Sequence, residues 1–161
     1  MSGVLTGGCQ CGAVRFRVEG RPREVSICHC RMCQKATGGL FGPFASVRTA
    51  DLAWTRGERK LFRSSQFIAR GFCGDCGTPL TFEAASGVGA SIGLTVGAFD
   101  NPSALKPQRQ IMVADRIPWF VELAGVPERS AAEDAARAAG YPAVISRQHP
   151  DHDTNVWPPD Q

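Results

Sequence analysis

Seven cysteines in three tight clusters constrain this chain more than any other feature: Cys9-Gln10-Cys11, Cys28-His29-Cys30-Arg31-Met32-Cys33 and Cys73-Gly74-Asp75-Cys76. Thiols crowded as closely as those of the middle cluster exceed what buried structural cysteines need, and a metal is the economical reading. The seven divide into a set of four, from the first and last clusters, and a set of three. Four thiolates close a tetrahedral zinc site, whereas three leave one position for water or a substrate atom. An odd number of cysteines in close pairs suits metal or catalytic thiols in a reducing compartment better than disulfides.

Local chemistry supports the division. Cys73-Gly74-Asp75-Cys76-Gly77 is a metal knuckle: two intervening residues let both sulfurs face one ion, and glycine lets the chain fold tightly beneath them. Cys9-Gln10-Cys11, flanked by Gly8 and Gly12, is the weaker half, and pairing it with the knuckle would clamp the first strand to the middle of the chain. Zinc is preferred to iron, because no iron–sulfur spacing is present. The triad Cys28, Cys30 and Cys33 is less determinate. It reads as an open site, as a second structural site with a fourth ligand from elsewhere, or as reduced thiols. His29 is an awkward fourth ligand between two ligating cysteines, and His149 and His152 would have to swing in from a tail that reads as solvated.

Length and composition narrow the rest. A chain of 161 residues fits one domain that buries a substantial core without needing metal merely because it is small. Hydrophobic residues at 43% and charged residues at 20% argue against disorder. With 18 Lys and Arg against 15 Asp and Glu and no basic run, nothing calls for a nucleic-acid partner, although the balance suits a small anionic ligand. The start lacks a basic and apolar leader and no apolar run is long enough to span a membrane, so a cytoplasmic protein is expected. Self-association stays open.

Short strands separated by turn signals predict a mainly β, mainly antiparallel domain. Ala13 to Val18 alternates, with Val14, Phe16 and Val18 on one face and Arg15 and Arg17 on the other. Glu24 to Ile27 delivers the chain into Cys28, and Gln34 to Gly39 reads as a helical turn closed by glycine, whose amides could hydrogen-bond thiolates. Leu40 to Val47 carries Gly42-Pro43 and is expected at an edge or bulge. Leu52-Ala53-Trp54 and Lys60-Leu61-Phe62 suggest a hairpin around Arg56-Gly57-Glu58, and Pro79 to Phe82, Ala90 to Phe99 and Gln110 to Ala114 are further strands. Ser130-Ala131-Ala132-Glu133 is a capping box opening a helix that stops at Gly140. Residues 1–125 are expected to form the zinc-binding β unit, with 126–161 a helix and extended tail of the same single domain.

An open three-thiolate site has an identifiable use. The ion carries two positive charges against three negative ones on its ligands, so an incoming thiol can bind, lose its proton and remain nucleophilic. Heavy donation by three thiolates weakens the ion as a Lewis acid, which favours activating a thiol over splitting water. The expected reaction is addition of a thiolate to a small electrophile, or carbon–sulfur cleavage in reverse.

Cys9-x-Cys11-Gly12-x-Val14, Cys28-His29-Cys30-x-x-Cys33-x-Lys35-x-x-Gly38 and Phe72-Cys73-x-x-Cys76-Gly77-Thr78-x-Leu80 stand in the order and approximate spacing of the glutathione-dependent formaldehyde-activating enzymes. Asp115-Arg116-Ile117-Pro118-Trp119 resembles that family's late motif, and the resemblance runs from about residue 5 to residue 120. The family also includes centromere protein V. The resemblance implies an Mss4-like β fold stapled by zinc, with structural zinc on Cys9, Cys11, Cys73 and Cys76 and catalytic zinc on Cys28, Cys30 and Cys33. It further implies a carbon–sulfur lyase that adds glutathione to formaldehyde, giving S-(hydroxymethyl)glutathione. Lys35 and Arg70, each near a cysteine cluster, are the expected partners of the glutathione carboxylates. Trp54, Trp119 and Phe44 read as core residues that could instead line a pocket. A zinc-stapled module that binds a protein or nucleic acid without catalysis is the alternative, and zinc storage or thiol redox sensing a third reading.

Overall fold

The computed structural model describes residues 3–141 and 144–157. Ten strands form two sheets. A three-stranded antiparallel sheet has the order β1 (Val4–Gly8), β2 (Arg15–Glu19) and β5 (Leu52–Arg56). The second sheet has seven strands: β10 (Arg109–Ile111), β3 (Glu24–Cys28), β4 (Gly42–Arg48), β9 (Ser91–Thr95), β8 (Pro79–Ala84), β7 (Ile68–Phe72) and β6 (Lys60–Arg63), in that order. All its pairs are antiparallel except β10 with β3. The mainly β class expected from the turn spacing therefore holds, with one parallel pair at the sheet's edge.

Val14, Phe16 and Val18 enter the core as their alternation predicts, with Phe16 meeting Trp54 and Phe99 edge to face at centroid separations of 6.0 and 5.1 Å. Val25, Ala45, Val47, Leu80 and Leu94 supply the second sheet's share of the core. No helix of the described residues is long and apolar enough to cross a membrane.

Three local expectations need correction. β4 lies between β3 and β9, inside the sheet. Its proline is tolerated because Pro43 sits opposite Ile27 of β3, before β9 joins at Phe44. The expected hairpin does not form either: β5 pairs with β2, whereas β6 pairs with β7 in the other sheet. Gly57, at a positive φ of 58°, lets the chain turn away between them. Arg15, read as facing outward with Arg17, is buried. Its side chain lies in a pair of contacts with Asp100, at 2.8 and 2.6 Å, and reaches Asp153 of the C-terminal segment at 2.7 Å.

That segment also departs from the solvated tail expected of it. His149 is 4% exposed, its backbone N–H donates to the Gln10 carbonyl at 2.7 Å, and Trp157 Nε1 donates to the Cys11 carbonyl at 2.6 Å. Arg56 holds the Thr154 carbonyl. Residues 148–157 thus strap across the first cysteine loop. Farther back, α2 (Ala131–Ala139) starts with the predicted capping box between Ser130 and Glu133 and stops at Gly140. Its side chains are exposed.

Candidate active site

The four cysteines of the outer clusters converge as their spacing suggests. Cys9 and Cys11 lie in the loop between β1 and β2, and Cys73 and Cys76 lie in the turn between β7 and β8. All four sulfurs fall within 4.8 Å of one another, with Cys9 to Cys11 at 3.5 Å and Cys11 to Cys73 at 3.8 Å. A tetrahedral ion with sulfur bonds of about 2.3 Å spaces its ligands about 3.8 Å apart, so the set fits zinc. Backbone N–H groups of Val14 and Asp75 point to Cys9 and Cys73 at 3.2 and 3.4 Å, the donor pattern that steadies thiolates. In the metal-free thiols burial pushes Cys11 up to about 12. Burial also raises Cys76, but the Thr78 hydroxyl, 3.1 Å away, and the backbone N–H groups of Thr78 and Cys11 outweigh it and bring that thiol down to about 6.

The triad is assembled by one strand end and one helix start. Cys28 is the last residue of β3, held between Ile111 of β10 and Gly42 of β4. Cys30 caps α1 (Arg31–Thr37), where its sulfur accepts from the Cys33 N–H at 3.4 Å, and Cys33 lies one turn in. Gly38, in the left-handed region with φ 67°, closes the helix, which begins earlier than the turn expected from Gln34. The three sulfurs lie within 4.8 Å of one another. A side chain at position 42 would meet the Phe44 ring at 2.6 Å and Cys33 Cβ at 3.0 Å, so glycine is what lets β4 pass beside the sulfurs.

These thiols differ in ionisation. Burial dominates Cys28 and, with the neighbouring Cys30 and Cys33, pushes it up to about 12. Cys33 is also raised by burial, although Arg70 opposes this. At Cys30 burial is overcome by the Cys33 and Met32 N–H groups and by the two neighbouring thiols, so it lies below the ordinary thiol range. Of the three, Cys30 is the thiol whose surroundings favour the thiolate.

Among the described residues, no histidine, aspartate or glutamate joins this set. His29 is fully buried, but its Nε2 lies 2.9 Å from Gln110 Oε1 and its ring stacks edge-on against Phe120 at 4.9 Å. His149 sits in the strap over the other cluster, and His152 is exposed.

Arg70 is 8% exposed and directs Nη2 at Cys33 Sγ, 3.5 Å away, with its guanidinium over the Phe82 ring at 5.1 Å. Lys35 stands exposed on α1. Phe44 lines a cavity of about 310 Å³ with Arg70, while Trp54 packs in the core and Trp119 is 48% exposed, contrary to the core position expected of it. Two supporting residues escaped the sequence reading. Gln34, buried inside α1, ties the His29 and Asp115 carbonyls together at 2.7 and 3.2 Å, and Thr78 bridges Gln10 N–H and Cys76. Position could have flagged Thr78, which follows the knuckle directly; a glutamine in a short helix carries no such signal.

An uncharacterized lyase of Schizosaccharomyces pombe is 30% identical over 81 residues, which make up 50% of this chain and 58% of that protein. A Halomonas elongata protein, provisionally named a glutathione-dependent formaldehyde-activating enzyme, is 49% identical over 37 residues, 22% of this chain and 24% of its own. The matched stretches thus span less than two thirds of either relative. A crystal structure of a Rhodobacter sphaeroides protein shares the fold, with a TM-score of 0.52 and 24% identity over 65% of this chain and 98% of that one. The family model described as glutathione-dependent formaldehyde-activating enzyme matches residues 4–115, which hold every cysteine of both clusters, and the chain belongs to that family.

Proposed function

We propose that the protein is a zinc-dependent carbon–sulfur lyase that adds glutathione, or another small thiol, to formaldehyde or a related small electrophile. The observation that carries the reading is the triad of sulfurs within 4.8 Å, beside which the one adjacent histidine is held by Gln110. Cys28, Cys30 and Cys33 would hold a catalytic zinc, and Cys9, Cys11, Cys73 and Cys76 a structural one. Bound at the triad, zinc would supply a position where a thiol is kept as its nucleophilic thiolate. In the addition a sulfur–carbon bond forms as the carbonyl π bond breaks; the proton lost from sulfur is matched by one gained at oxygen, and no oxidant or reductant is consumed.

The surrounding residues have roles of their own. Arg70 offsets the negative charge collected on three thiolates, a role that its burial against Cys33 favours over a distant carboxylate. Lys35, exposed on the helix that carries Cys33, would pair with a glutathione carboxylate. The aromatic group of His29, Phe41 and Phe120 walls the strand end behind the sulfurs. A second copy of the chain is not required by any of these roles.

The test pairs Cys30→Ser with Cys73→Ser and follows thiol–aldehyde exchange by NMR, metal content by mass spectrometry and fold by circular dichroism. Cys30→Ser is expected to reduce exchange at least 100-fold while the sheets persist. Cys73→Ser is expected to lose metal and fold together. Metal content and ligation that stay the same with and without glutathione, together with equal damage to folding from both variants, would overturn the reading.

A further inference from the structure

The cavity beside the triad is too large and too apolar for the electrophile of the simplest reading. It has a volume of about 310 Å³, at the lower end of the roughly 300–1,000 Å³ typical of small-molecule sites. Phe44, Phe62, Phe72, Ala36 and Pro79 form most of its walls and Arg70 is the charged side chain that lines it; Thr37, Thr81 and Thr95 also line it, with their hydroxyls engaged by the Cys33 and Phe41 carbonyls, the Glu83 carboxylate and the Pro79 carbonyl. Two observations set this cavity against the sulfurs. Arg70 reaches Cys33 Sγ at 3.5 Å, and the Phe44 ring and Cys33 Cβ crowd the same space over Gly42.

Formaldehyde, scarcely larger than water, would leave such a cavity mostly empty. Glutathione would fill it poorly, because its two carboxylates and ammonium group need partners that phenyl and methyl walls, and threonine hydroxyls already engaged within the protein, do not offer. The arginine that lines the space is already turned to Cys33. The remaining component of the reaction is the electrophile's substituent.

The geometry points to an aldehyde carrying an aromatic or branched apolar substituent as the electrophile, with the substituent seated among Phe44, Phe62 and Phe72 and the carbonyl carbon facing the triad. The inference rests on the proposed lyase reading and names the substrate class for it. The step is the same addition: thiol sulfur bonds to the carbonyl carbon, the π bond opens, and the oxygen takes up a proton to give a hemithioacetal.

Benzaldehyde and formaldehyde, each with glutathione, form the test, with catalysed exchange followed by NMR on the metal-loaded full chain. The expected KM for benzaldehyde is at least tenfold below that for formaldehyde. Ala36→Leu, which fills the cavity, should raise the benzaldehyde-to-formaldehyde KM ratio at least tenfold. Phe62→Ser, at a side chain 63% exposed on an edge strand and therefore safe for folding, should raise the same ratio. Saturation-transfer NMR with benzaldehyde alone should show binding to the native protein and weaker binding to both variants. Turnover of formaldehyde with no preference for benzaldehyde, or variants that leave the ratio unchanged, would sink the inference and leave the lyase reading standing. Turnover of neither aldehyde would remove the lyase reading itself.

Discussion

Buried ion pairs do distinct work at different positions of this molecule, and Glu83 shows the plainest case. Its carboxylate receives Arg59 Nε and Nη2 at 2.8 and 2.6 Å and the Thr81 hydroxyl, with 10% of its side chain exposed. Burial raises its pKa, but the Arg59 hydrogen bonds and then Thr81 outweigh burial and hold it below the ordinary 4.5. A carboxylate whose folded value is depressed adds stability above its unfolded pKa and loses it as pH falls through the folded one. Glu83→Gln should therefore cost about 1.5–3 kcal/mol at pH 7, in the range for charge-assisted hydrogen bonds, and progressively less below about pH 4.5. Urea unfolding of both proteins at pH 7 and pH 3.5 measures the gap; a gap that widens in acid would contradict this assignment. Nothing in Thr81-Phe82-Glu83 announces such a pair, because Arg59 stands 24 positions away and meets it through the pairing of β6, β7 and β8.

At the scale of elements, the C-terminal strap decides where sequence patterning succeeded and where it misled. Cysteine spacing made both clusters legible because ligands on one knuckle are neighbours in sequence, and the capping box at Ser130 was legible for the same reason. Arg15 was misread because its cover, Asp100 and Asp153, lies 85 and 138 positions away. The β5–β6 hairpin was misread because two sheets compete for those strands, a choice that turn composition does not encode. The strap closes over Gly12, whose φ of 75° suits glycine and whose Cβ, if present, would run into the His149 and Trp157 rings. Gly12→Ala should both strain the backbone and lift the strap. Its expected cost is about 1–3 kcal/mol, matched by deletion of residues 147–161, and in combination the two changes should be less than additive. Thermal unfolding of the two variants and their combination checks this; strictly additive effects would show that Gly12 and the strap act separately.

The whole molecule joins its two sheets through the four-cysteine cluster. Cys9 and Cys11 belong to the smaller sheet's first loop, and Cys73 and Cys76 to a turn of the larger sheet, so one ion there would close a loop of more than sixty residues. The triad, in contrast, spans neighbouring residues at a strand end and constrains little chain. Metal bound only by the folded protein stabilises by linkage, and its release should be felt according to how much chain it closes. Stripping all metal with a chelator should therefore lower Tm by at least about 10 °C, taking roughly 2–4 °C for each kcal/mol lost in a chain of this size. Cys30→Ser, in which only the triad is impaired, should keep most of the native Tm and lose it on chelation as the parent protein does. Titrating zinc back into the stripped Cys30→Ser protein should restore Tm at one equivalent, whereas the parent protein should go on taking up a second equivalent with little further gain in Tm. A parent protein whose Tm rises equally with each equivalent would mean that both clusters hold the fold, and the division between a closed structural site and an open reactive one would have to be abandoned.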